Sequence, residues 1–167
     1  MKFAETELRQ IAEDTWRIVL GEEVEARTET IASMNFDDCI AATAQIAGDW
    51  QLAVVIYGSA AMARRAAMVM FSLDDEPPKV EDIQDAMCEL VNIVAGNIKG
   101  VLSGSSHLSL PSLIRGNDFK LMFPRHVPLS EVAFGYAGEP VIVMLLGEDK
   151  LTDRLEQRNL ASREGAS

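Results

Sequence analysis

The sequence predicts a layered α/β (α+β) domain, a mostly antiparallel sheet covered by two long helices and built as a pseudo-twofold repeat of two halves. Three observations carry this. Residues 5–20 and 81–104 place apolar side chains at three- and four-residue steps, the spacing of one helix face. Two pairs of apolar, β-branched runs are each joined at a short glycine-containing turn, which is a hairpin signal. The second runs of those pairs, "AGDWQLAVVIYG" and "AGEPVIVMLLG", match in kind but share few identities, so the repeat rests mainly on the order of elements. A chain of 167 residues supports one domain with a proper core, read here as residues 1–158, with 159–167 as a flexible tail.

The elements follow in order. Leu8, Ile11, Ala12, Trp16 and Val19 make the stripe of an amphipathic first helix that stops at Gly21. "VEARTETI" reads as strand, then "CIAATAQIA", a turn at Gly48-Asp49, and "WQLAVVIYG" as the first hairpin. "SAAMARRAAMVMF" is rich in Ala and Met and lacks breakers, so it reads as helix. The two prolines of "SLDDEPPK" mark a loop. The second long helix opens with Glu81 and Asp82, whose charges suit the positive end of the helix dipole. After Gly104, the apolar alternation of "HLSLPSLI" and the pair "SEVAFGYA" and "PVIVMLLG" around Gly138-Glu139 read as strands, with the short apolar "FKLMF" between them. A polar helix-like segment, "EDKLTDRLEQR", closes the domain.

Composition excludes several function classes. The chain is 48% hydrophobic with two Trp, eight Met and six Pro, which suits a packed core and not disorder. A formal charge of -11, with no basic cluster beyond Arg64-Arg65, argues against nucleic-acid binding and for basic protein partners or plain solubility. Cys39 and Cys88 lie in apolar stretches and read as core thiols of a reducing compartment, and the two His form no metal-ligand spacing. "MKFAETELRQ" has no apolar signal core, and the apolar strings fall far short of the ~20 residues that cross a bilayer, so a cytoplasmic protein is expected. No Gly-x-Gly-x-x-Gly, phosphate loop or Gly-x-Ser-x-Gly elbow occurs, and His107 and His126 stand isolated.

The second long helix carries the functional signal. At about 100° per residue, Ile83, Met87, Leu90, Val94, Ile98 and Val101 share one arc, the core stripe. Asp85, Glu89, Asn92, Gly96, Lys99 and Ser103 gather opposite, with Glu89 and Asn92 about 60° and one turn apart. Gly96 puts bare backbone beside them, at about 1 kcal/mol relative to Ala. It leaves room for a partner surface, or serves tight helix packing through the Gly96, Gly100 and Gly104 series. Asn97 falls nearer the core arc, where an Asn is commonly a structural hydrogen-bonder. On spacing alone, a Glu and an Asn on an outward face are ordinary surface residues.

The whole string decides more than the spacing does. "ELVNIVAGNIKG" closely resembles the signature helix of the CheC/CheX/FliY family of chemotaxis phosphatases, in which Glu-x-x-Asn precedes a small Gly-Asn segment. The order of elements, the two-half repeat and the length are also similar to the CheX-like branch over nearly the full chain. CheC-like members carry the motif in both halves; here the first helix offers Glu13-x-x-Trp16, with Trp where Asn is needed, which favours the CheX-like, one-site branch. The resemblance implies a phosphatase acting on the phospho-aspartate of a CheY-like receiver domain. Asn92 would orient the attacking water, and Glu89 would dock on the receiver's Lys, a general-base role for Glu89 being the competing idea. It further implies no cofactor of the chain's own, Mg²⁺ supplied by the receiver, and a homodimer formed at sheet edges. The alternative is a non-catalytic receiver- or flagellar-motor-binding module of the same fold.

Overall fold

The computed structural model describes residues 2–34, 37–148, 157, 160, 161 and 165. An opening helix α1 (Lys2–Leu20) is followed by a short strand β1 (Glu25–Arg27) and a single 3-10 turn at Ile31–Ser33. The first hairpin is β2 (Cys39–Gly48) and β3 (Leu52–Ser59), followed by α2 (Ala60–Met70) and α3 (Val80–Val101). Then come β4 (Ser106–Leu108), β5 (Ser112–Gly116) and the second hairpin, β6 (Val127–Tyr136) with β7 (Glu139–Gly147). The expected tail helix, residues 148–158, lies outside the described residues except for Glu148 and Gln157.

The strands form one antiparallel sheet in the order β1-β6-β7-β3-β2-β4, with β5 also paired to β2. The two hairpins meet at its centre, where β3 and β7 pair from Leu52↔Gly147 to Gly58↔Val141. The repeat is therefore real as a layout, but its halves interlock: β1 pairs with β6 of the second half, and β4 and β5 pair with β2 of the first. Both turns fall slightly away from where the sequence suggested. The first hairpin turns through residues 49–51, after a Gly48 whose φ of 130° lets the chain run against the Ser105 backbone. The second turns at Ala137 and Gly138, with φ of 51° and 79°, because a two-residue loop that matches the twist of the strands needs both residues left-handed.

Side chains alternate across the sheet and bury two clusters. Ile40, Ala42, Ile46, Val54, Ile56, Val141, Val143 and Leu145 face the helices and pack with Trp16, Met62, Met87, Leu90 and Val94. Full burial of one such large side chain is worth roughly 1.5–3 kcal/mol. Three helices, not only the two long ones, share this face, since the shorter α2 contacts both α1 and α3. On the other face, Ala41, Ala53, Val55, Tyr57, Ile142 and Met144 lie under Ile31, Met34, Phe119, Leu121 and Phe123. The "FKLMF" segment belongs to this cover and is not a strand: Phe119, Leu121 and Phe123 turn inward with a strand's alternation, but no ladder forms. A cavity of about 610 Å³ remains beneath it.

Candidate functional site on the outward face of α3

The sequence of α3 explains how it is placed. The Asp82 carboxylate accepts the Lys79 backbone N–H at 2.8 Å, closing the first turn, and Glu81 adds negative charge at the dipole's positive end. Ile83, Ala86, Met87, Leu90, Val91, Val94, Ala95 and Ile98 are buried, a band of close to half the helix circumference. The far end is latched by the turn of the first hairpin: the Trp50 indole N–H donates to the Ser103 carbonyl at 2.6 Å, and the Asp49 carboxylate accepts from the Ser105 N–H at 2.7 Å. Gly104, with a φ of 91°, is required there, because a Cβ would strike the Asp49 carboxylate.

What remains outward is the arc that periodicity assigned. Asp85 and Glu89 are exposed, Asn92, Gly96 and Lys99 are half-buried, and Ser103 is exposed. Among the described residues, neither Glu89 nor Asn92 has a hydrogen-bond or ion-pair partner. Separated by three residues, they stand about 4.5 Å apart along the helix axis, on the arc away from the core stripe. Gly96 is not explained by packing among the described residues: a Cβ there would meet only Leu108 Cδ1, at 3.9 Å, and at Gly100 nothing within 4 Å. Asn97 and Val101 depart from expectation. Both belong to the core arc by angle, yet both are exposed, while Ile98 between them is buried.

Cys88 is half-buried one turn before Asn92, not a core thiol like Cys39. Burial, with the nearby Asp85 charge as a smaller cause, raises its pKa and keeps it a neutral thiol. Cys39 is tied into the opposite face, donating to the Gly116 carbonyl at 3.2 Å and lying 3.4 Å from the Tyr57 hydroxyl. The cavity lies on that face too, away from Glu89 and Asn92. Neither His joins the α3 arc: His107 sits on β4 opposite Ala47, and His126 Nδ1 lies 2.9 Å from the Pro124 carbonyl. Among the described residues, no three His, Cys, Asp or Glu side chains could hold a metal ion.

Glu13-x-x-Trp16 on α1 is not arranged like Glu89-x-x-Asn92. Trp16 is fully buried and meets Phe134 edge-on with ring centroids 4.9 Å apart, so Glu13 and Trp16 do not share an outward face. Several polar side chains of α1 are partnered instead: Arg9 pairs with Glu13 at 3.5 Å and donates to the Ala133 carbonyl at 3.1 Å, Gln10 donates to Asp14 at 2.8 Å, and Arg17 pairs with Asp14. That contrast with the unpartnered pair on α3 is invisible in a motif search, since both helices are amphipathic and both carry carboxylates outward.

The family described as Chemotaxis phosphatase CheX matches residues 40–135, more than half the chain and all of the outward face of α3. The chain belongs to the CheX family. Solved CheX structures share the fold. CheX from Desulfovibrio desulfuricans is 15% identical, with 84% of this chain and 95% of that one covered at a TM-score of 0.67. CheX from Vibrio vulnificus is 13% identical, with coverage of 84% and 93% and a TM-score of 0.66. The CheX of a CheX–CheY–BeF₃–Mg²⁺ complex from Borrelia burgdorferi is 18% identical, with coverage of 85% and 95% and a TM-score of 0.64. No curated protein matches the sequence. These likenesses show the fold, and no helix among the described residues is long and apolar enough to cross a membrane.

Proposed function

We propose that this protein is a phosphatase that hydrolyses the phospho-aspartate of a CheY-like receiver domain in chemotaxis signalling. The observation that carries the reading is the outward-facing, unpartnered Glu89-x-x-Asn92 pair on α3, in a chain of the CheX family. The Borrelia complex, which joins a CheX to a CheY with beryllofluoride and magnesium, supports the choice of partner.

In this reading the receiver brings the metal ion and its own Lys to the phosphoryl group, and α3 brings what the reaction lacks. Phosphoryl transfer is mostly positioning and charge stabilisation. The Asn92 carbonyl accepts a hydrogen bond from the attacking water, and its amide N–H donates to a phosphoryl oxygen; a carboxamide does both without titrating. The water oxygen bonds to phosphorus as the bond to the aspartate oxygen breaks, the receiver carboxylate leaves, and the water's proton departs with inorganic phosphate. Glu89, one turn away, accepts a charge-assisted hydrogen bond from the receiver's Lys and fixes the helix in register. The protein acts where its receiver is, in the cytoplasm, as a homodimer paired at sheet edges.

The test is a panel of autophosphorylated receivers from the host, each incubated with the protein while loss of labelled phosphate is followed. At least one receiver should lose label faster than it does alone. Unaltered decay across the whole panel would sink the phosphatase reading.

A further inference from the structure

Lys99 is the one basic residue of α3, and it shares the outward face with Asn92. Seven residues on, at about 100° each, it falls some 20° from Asn92 and about 10 Å further along the axis. Read along that face, α3 presents a carboxylate at Glu89, a carboxamide at Asn92, bare backbone at Gly96 and an ammonium at Lys99. We propose that Lys99 is a second docking residue, whose ammonium pairs with an anionic oxygen of the receiver at its phosphorylation site, on the side of Asn92 away from Glu89. This rests on the phosphatase reading above.

Three features support it. Gly96, one turn before Lys99, has no side chain to stand between the Lys99 ammonium and an approaching surface, and a Cβ there would meet only Leu108 Cδ1 at 3.9 Å. Its half-burial fits a stem laid along the surface with the charged head free. Lys99 is also uncommitted in a chain of net charge -11. Arg9, Arg17, Arg27, Arg65 and Arg115 each have a carboxylate partner, whereas Lys99 has none among the described residues. The strip of opposite charges on either side of Asn92 fits a receiver site that carries both a Lys and anionic oxygens, and fits it in one orientation only.

The experiment is steady-state dephosphorylation of a responsive receiver by wild type, Lys99→Ala, Lys99→Arg and Lys99→Glu, with thermal melting as the folding control. Lys99→Ala should raise KM roughly tenfold while leaving kcat within about twofold, as expected for loss of one docking contact. Lys99→Arg should restore most of the loss, and Lys99→Glu should exceed it. Binding to the receiver with and without beryllofluoride distinguishes the source of the anion. A loss confined to the loaded form assigns the phosphoryl group, and an equal loss in both assigns a receiver carboxylate; either supports the inference. If wild type is active, Asn92→Ala is not, and Lys99→Ala matches wild type in KM and in both affinities, the inference is overturned and the phosphatase reading stands. Inactivity of wild type on every receiver would overturn both.

Discussion

Glu89 and Asn92 differ in what their loss should do, because one is charged and the other is not. A charge-assisted hydrogen bond contributes about 1.5–3 kcal/mol. Glu89→Ala should therefore weaken receiver binding by roughly ten- to a hundredfold and lower turnover with it, which isothermal titration against a beryllofluoride-loaded receiver would reveal; unchanged affinity would remove Glu89 from the docking role. Cys88 gives an independent footprint of the same surface. Its raised pKa means less thiolate at any given pH, so alkylation near neutrality should lag that of a free cysteine and quicken as pH rises. Lying one turn before Asn92, it should also be shielded when a loaded receiver is present, as mass spectrometry of the alkylated protein can show. The outward placement of Glu89 and Asn92 was legible from periodicity alone. The exposure of Asn97 and Val101 was not, since a helical wheel carries angles but no information on what lies against them.

At the scale of the element, α3 pays a helix-propensity cost at Gly96 that no contact among the described residues requires. Gly96→Ala should leave the fold intact and make it more stable by up to about 1 kcal/mol, read by chemical denaturation. The same change should raise KM for the receiver severalfold, because the added methyl stands where the partner comes close. A stabilised variant with unchanged KM would mean that the gap has no part in docking. The strand-like "FKLMF" shows the opposite limit of pattern reading. Alternation reports which side chains turn inward, and it did so correctly for Phe119, Leu121 and Phe123. Whether a neighbouring strand lies within hydrogen-bonding distance depends on the whole sheet, and alternation is silent on that.

Across the whole molecule, the two hairpins follow from sequence features that are local, β-branched runs and the glycines at their turns, whereas the central β3–β7 pairing joins strands far apart in the chain. The interlocking of β1 with β6, and of β4 and β5 with β2, involves partners distant in the chain, which no local pattern encodes. The same holds for Trp16. A motif comparison places it where a second Asn would stand, whereas the fold buries it against Phe134. Trp16→Ala should therefore cost about 3–5 kcal/mol of stability, the usual range for emptying a large aromatic site, while Glu13→Ala should stay within about 0.5 kcal/mol. Similar small losses for both in urea denaturation would mean that α1 is not packed as described. Two related helices thus serve different ends. α1 has partners for Arg9, Gln10, Glu13, Asp14 and Arg17, and α3 leaves Glu89 and Asn92 unpartnered among the described residues.

The central claim is that Asn92 orients the attacking water, and one paired measurement tests it most directly: phosphate release from, and binding to, a responsive receiver by wild type and Asn92→Ala. The account predicts that Asn92→Ala binds the beryllofluoride-loaded receiver within a few-fold of wild type yet loses about a hundredfold or more in turnover. Turnover by Asn92→Ala equal to that of wild type would contradict it.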